Sequence, residues 1–238
     1  MAHLQALLTE SNRIMSAEMN IKEAILGRHS VRRYLDQPID RELVGKLTQE
    51  IARCNEESGL HIQLILNEAE CFDTLFAHYG KFKNANNYIA LVGKKTLPDL
   101  EERCGYYGER LVLFAQMLGL RTCWVAGSYG KSKCKADVSS SEKLVCVISI
   151  GYGEDDGVKH KSKPVEKVCP EEMDEMPVWF RNGVRAALMA PTAINQQQFT
   201  ITLDSDVPVI KAKPGPYSKI DLGIVKYHFE AVSGRKCK

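Results

Sequence analysis

"LPDLEERCGYYGERLVLFAQMLGLRTCWVAG", residues Leu97–Gly127, contains one complete alternation of the chain. Its first half is charged and its second, "LVLFAQMLGL", almost wholly apolar, so the spacing predicts a helix over Leu97–Leu120 whose second half is buried. "TCWVAG" (Thr122–Gly127) follows as a β-rich run stopped by a glycine, which predicts a strand. The same alternation continues on both sides. Helices are predicted over Asn20–Arg28, Asp40–Cys54, Val178–Met189 and Asp221–Val232. Strands are predicted over Leu60–Asn67, Asn87–Lys94, Lys143–Gly153 and Phe199–Leu203. The starts are marked by chemistry: Asn20 stands before "IKEAILG" with Glu23 three residues on, a capping box, and Asp40 stands before a helix with Leu43, Leu47 and Ile51 on one face. Strands separated by helices argue a layered α+β or α/β domain around a central sheet.

Composition narrows what such a domain can be. The 238 residues are 44% apolar and 26% charged with a formal net charge of +2, so no global field recruits nucleic acid or an anionic membrane. No apolar run approaches the ~20 residues that span a bilayer. The opening "MAHLQALLTESNRIMSAEMN" lacks the contiguous apolar core of a secretion signal, giving the expectation of a cytoplasmic protein. Eight cysteines include no CxxC pair, which suggests buried free thiols rather than zinc ligands or a redox dithiol, and no metal site is expected.

Against this near-neutral background, "GRHSVRRYLDQPI" (Gly27–Ile39) sets Arg28, His29, Arg32 and Arg33 around Ser30 at the end of the first helix. Two readings fit. One is a solvated helix end whose cations face the negative end of the helix dipole. The other is an anion cradle, in which guanidinium forks and a hydroxyl converge on one phosphate.

The order "GRHSVRRY", "LGLRTCWVAG", "ISIGYGEDD" with "HKSKPVE", and "APTAINQQQF" resembles the FMN-dependent nitroreductase family, and within it the single-chain TM nitroreductases. The likeness covers most of Asn20–Phe199. It departs from the family pattern at Thr192, where a serine is usual, and at Gln198–Phe199, where Pro-Trp is usual. It implies an α+β nitroreductase-like fold with a mixed or antiparallel central sheet flanked by helices. One placement differs. In the family the Pro-Ser-x-x-Asn segment follows the arginine motif after one helix and reaches the flavin held mainly by the other subunit of a homodimer. Here that position reads "ARCNEESGLHIQLI", and the intact copy lies at Ala190–Leu203 after a later helix. The expectation is therefore two related halves in one chain, 20–168 with the phosphate motif and 169–238 with "APTAINQQQF", after an N-terminal extension of 1–19. Such a pseudo-dimer acts as a monomer, a homodimer being the alternative.

The resemblance implies roles. Arg28 and Ser30, with His29 adjacent and Lys161 or Lys163 arriving from the loop after Gly153, would hold the FMN phosphate. A solvated charged loop is the alternative for the lysines. Arg32 would sit at the pyrimidine edge, Ala126 and Gly127 would bring a main-chain N–H to the flavin N5, and Pro191, Thr192 and Asn195 would approach the ring or ribityl chain across the seam. Lys81 aligns loosely with another flavin-contacting lysine, a solvated side chain being the competing reading. Trp124 reads as core, "KSKCK" (Lys131–Lys135) as a solvated helix start or a site for the extra phosphate of NADPH, and His78 and His160 carry no assignment. The implied activity is ping-pong hydride transfer from NAD(P)H to a planar small-molecule acceptor such as a nitroarene or quinone, with no catalytic side chain required. The alternative is a flavin-storage or sensor protein.

Overall fold

The computed structural model describes residues 19–73, 80–159 and 161–238. The predicted extension, apart from Met19, and both unassigned histidines, His78 and His160, lie outside them.

Among the described residues, five α-helices and six strands follow in the order α1 (Ile21–Gly27), α2 (Arg41–Ser58), β1 (Gln63–Ile65), β2 (Tyr88–Lys94), α3 (Leu100–Met117), β3 (Arg121–Val125), β4 (Glu142–Gly151), α4 (Val178–Ala187), β5 (Phe199–Asp204), β6 (Val207–Ala212) and α5 (Ser218–Ser233). The capping box at α1 is formed: Asn20 Oδ1 accepts from the Lys22 and Glu23 amides, and Glu23 accepts from the Asn20 amide at 2.8 Å. Asp40 stands before α2 but makes no capping bond, and this helix runs four residues beyond its expected end, to a left-handed Gly59.

The main sheet has the order β1-β2-β4-β3, antiparallel throughout. Strand β2 is buried on both faces. Ile89 and Leu91 pack with Leu111 and Val112 of α3, while Tyr88, Ala90 and Val92 join a second cluster with Val31, Tyr34 and Val147. That two-sided burial explains why its sequence reads as a continuous apolar run rather than an alternation.

The expected strand at Phe199–Leu203 exists, but it belongs to a separate hairpin with β6, a strand the sequence reading missed. The two residues between them, Ser205 and Asp206, are both left-handed (φ 49° and 68°), as a tight two-residue hairpin loop requires.

Helix α5 packs chiefly on α3 and α4. A Cβ on Gly105 would lie 2.0 Å from the Ile220 carbonyl oxygen, and one on Gly223 would lie 1.9 Å from the Glu102 carbonyl oxygen. Each glycine thus faces the carbonyl three residues before the other glycine, a reciprocal contact of the kind a two-fold axis between the helices produces. Around it the helices are tied by Lys226 to Glu102 (2.6 Å) and by Tyr106, which donates to Glu230 at 2.7 Å.

Candidate functional site

The basic segment leaves α1 in extended conformation at Arg28 (φ −75°, ψ 123°) and runs beside β3, where Ser30 bridges Thr122 in parallel and the Val31 amide donates to the Thr122 carbonyl at 3.0 Å. Val31 and Tyr34 are buried in the core. The Tyr34 hydroxyl is held at 2.7 Å from both the Val31 carbonyl and Ser149 Oγ, and burial pushes its pKa well up. This anchoring fixes the extended stretch from which Arg28, Ser30 and Arg32 reach one cavity.

The cavity has a volume of about 870 Å³, the size of a cofactor or drug-sized pocket. Arg28, Ser30 and Arg32 form one wall, and Ala126 and Gly127, at the end of β3, form another. Pro191, Thr192 and Asn195 face them from the far end of the chain, and Lys81 and Lys161 also line the cavity. His29 and Lys163 do not line the cavity. Lys163 lies behind the loop, its ammonium donating to the Gln196 carbonyl at 2.6 Å.

The electrostatics favour an anion. Arg32, Lys81, Lys159 and Lys161 all line the cavity and make no ion pair among the described residues. Of the two carboxylates present, Asp155 accepts from the Gly157 amide, and Asp221 from the Ala193 amide and from Gln196 Nε2 at 2.7 Å. Arg28 is 4% exposed. Burial lowers its pKa, opposed by the carboxylate of Glu109 and more weakly by Cys123. Its Nε has no hydrogen-bond partner, nor has the buried Nδ1 of His29. An unsatisfied buried guanidinium N–H is costly, and a bound anion is the group that satisfies it.

Beneath this wall Glu109, fully buried on α3, accepts from Trp124 Nε1 at 2.8 Å and meets His228 Nε2 of α5 at 2.8 Å. His228 Nδ1 lies 3.1 Å from the Ala186 carbonyl, an acceptor only, so that nitrogen carries a proton. Arg28 therefore lies within electrostatic reach of a buried pair drawn from α3 and α5.

The opposite wall is strained. Ile194 (φ 47°), Asn195 (φ 56°) and Gln197 (φ 45°) are all left-handed without being glycine, and for β-branched Ile194 this is a true outlier. Hydrogen bonds hold the loop in this shape. The Gln197 amide donates to Thr192 Oγ1 at 3.0 Å, while Asn195 Nδ2 and Gln197 Nε2 each donate to the Lys161 carbonyl at 2.9 Å. The Asn195 oxygen accepts from Gln197 Nε2, also at 2.9 Å. Asn195 lines the cavity as expected, yet its amide is committed to stitching the loop at Lys161 to the loop at Thr192.

Three further residues belong to the site. Gln197, 3% exposed, is the hub of that stitch, and a run of three glutamines gives no sign of which one is buried. Asp221 holds the Ala193 amide. Tyr217, at the left-handed start of α5, lines the cavity beside Gly127, its hydroxyl 3.3 Å from where a Gly127 Cβ would be. The "KPGPY" turn that precedes α5 was the available signal for Tyr217.

The family described as "Putative TM nitroreductase" matches residues 20–233. A structure described as a "putative nitroreductase" of Thermotoga maritima MSB8 superposes with a TM-score of 0.69 at 22% identity, over 93% of this chain and 88% of that one. A putative nitroreductase of Desulfovibrio desulfuricans in complex with FMN gives 0.51 at 19% identity, over 62% of this chain and 94% of its own. A putative NADH dehydrogenase/NAD(P)H nitroreductase of Parabacteroides distasonis gives 0.50 at 20% identity, over 62% and 95%. No curated protein matches. At these identities the structural likeness is one of fold.

Proposed function

Because the chain belongs to the TM nitroreductase family and has its nitroreductase-like α+β fold, we propose that it is an FMN-dependent oxidoreductase whose flavin lies in the 870 Å³ cavity between the two halves. The observation that carries this reading is Arg28, a buried cation with an unpartnered Nε beside a cavity rich in unpaired cations. When bound, FMN supplies reversible hydride acceptance from NAD(P)H and donation to a planar acceptor, a nitroarene or quinone.

The chain's own residues bind and orient. Arg28 and Ser30 would hold the phosphate and Lys161 would add charge from its loop, with His29 adjacent but outside the cavity. Arg32, exposed and without an ion pair among the described residues, would add positive potential favouring the negative charge of a reduced ring. Gly127 allows close backbone approach, with Tyr217 beside it. Thr192 and Asn195 shape the far wall and Pro191 begins its turn. Lys81 lies at the rim.

The Desulfovibrio and Parabacteroides structures use nearly their whole length to match about three-fifths of this chain. That surplus, with the reciprocal glycine contact of α3 and α5, supports two halves, 20–168 and 169–238, acting together as a monomer. The test is direct: purified protein should be yellow or take up added FMN, and should oxidise NAD(P)H in the presence of a quinone. Colourless protein that takes up no FMN would overturn the proposal.

A further inference from the structure

Cys71 and Cys134 are 63 positions apart and belong to no cysteine motif, yet the fold brings them together. The Gly130 amide donates to the Cys71 carbonyl at 2.8 Å, and the Lys135 amide donates to the Tyr88 hydroxyl at 2.9 Å, which presses the Lys131–Lys135 turn against the second buried cluster. Within it Cys134 packs against the cluster that holds Cys71, its amide donating at 3.1 Å to the carbonyl of the same Gly130, which sets the two thiols beside each other with the Ala136 amide next to Cys134. The Tyr88 proton goes to Glu68, so the donors turned toward that sulfur are the Cys71 thiol and the Ala136 amide, which can only donate.

Access differs between the partners. Cys71 is fully buried, whereas Cys134 is half-buried and opens on a second cavity of about 430 Å³. Lys95, Lys131 and Lys143 line that cavity. Lys95 donates to the Ser140 carbonyl and Lys143 pairs with Glu101, while Lys131 makes no ion pair among the described residues. Glu68 faces the sulfur with opposing charge, but its carboxylate accepts the Tyr88 hydroxyl at 2.9 Å.

We propose that Cys134 is a thiolate nucleophile toward hydroperoxides and Cys71 its resolving thiol. The Cys134 thiolate attacks one peroxide oxygen. The O–O bond breaks, an S–O bond forms, and the departing alkoxide or hydroxide takes a proton from solvent. The Cys71 thiol then attacks the sulfenic sulfur. An S–S bond forms, the S–O bond breaks, and the hydroxyl leaves as water with the Cys71 proton. Two thiols and one hydroperoxide give one disulfide, one alcohol or water, and one water. The contact with Cys71 and the Ala136 amide lower the Cys134 pKa against the opposing effect of burial, and the same contact raises that of Cys71, the division of labour this chemistry uses.

The test uses the full-length reduced protein and equimolar hydrogen peroxide, followed by blocking of free thiols and peptide mapping without reductant. A Cys71–Cys134 linked peptide is expected in preference to any other pairing. In C71S, Cys134 should remain as a sulfenic acid trapped by dimedone, and in C134S neither product should form. With iodoacetamide at pH 6.5, where an ordinary thiol is ~1% ionised, Cys134 should react at least roughly tenfold faster than any other cysteine. No 71–134 peptide in the wild-type protein, or another cysteine reacting as fast as Cys134, would overturn the proposal whatever the fate of the variants.

Discussion

At residue scale the account rests on Arg28. A guanidinium taken from water without a full set of acceptors is retained where a ligand supplies them, and a charge-assisted bond contributes ~1.5–3 kcal/mol. Arg28→Ala should therefore weaken FMN by about ten- to 150-fold and leave riboflavin, which lacks the phosphate, nearly unaffected. Titration with both ligands checks this, and equal loss would mean that Arg28 does not face the phosphate. Asn195→Ala should act differently from a simple contact deletion. Removing its amide takes one of two donors from the Lys161 carbonyl and one acceptor from the Gln197 side chain, so urea stability should fall by about 0.5–1.5 kcal/mol per bond lost, and FMN affinity by a few-fold to roughly tenfold. Unchanged stability and affinity would make the loop stitch irrelevant. That the basic cluster, the Gly127 end of β3 and "APTAIN" line one cavity was expected from the resemblance their motifs carry. Gln197 and Tyr217 were not, since burial of one glutamine among three and the reach of a tyrosine to a glycine are tertiary facts.

At element scale the crossing of α3 and α5 is set by two glycines. A Cβ at position 105 or 223 meets main-chain oxygen, which cannot rotate away, so Gly223→Ala and Gly105→Ala should each cost ~1–3 kcal/mol or more by forcing α3 and α5 apart. Gly45→Ala on α2 is the control. Nothing lies within 4 Å of its Cβ, and a helical glycine replaced by alanine gains about 0.5–1 kcal/mol. Thermal or urea unfolding of the three variants tests the ordering, and equal effects would contradict it. The helices were readable from periodicity and capping, with ends displaced by a few residues where α2 runs on to Gly59. Strand β6 escaped because "VPVIKA" is short and carries a proline, which demotes a run to an edge, and an edge of a two-stranded hairpin is where it lies.

At the scale of the whole molecule, the cavity is assembled from segments nearly two hundred residues apart: Arg28, Ser30 and Gly127 come from early in the chain, Thr192, Asn195 and Tyr217 from late in it. The sequence carried this arrangement as a motif found in an unexpected place, but the partnership of α3 with α5, the buried Glu109–His228 pair and the meeting of Cys71 with Cys134 could not be read without the fold. The central claim is that one chain completes one flavin site. It is tested most directly by titrating FMN into the protein while its mass in solution is followed by analytical ultracentrifugation. The account predicts saturation at one FMN per chain in a particle the size of a single chain. Two FMN per chain, or binding that vanishes whenever the protein is monomeric, would contradict it.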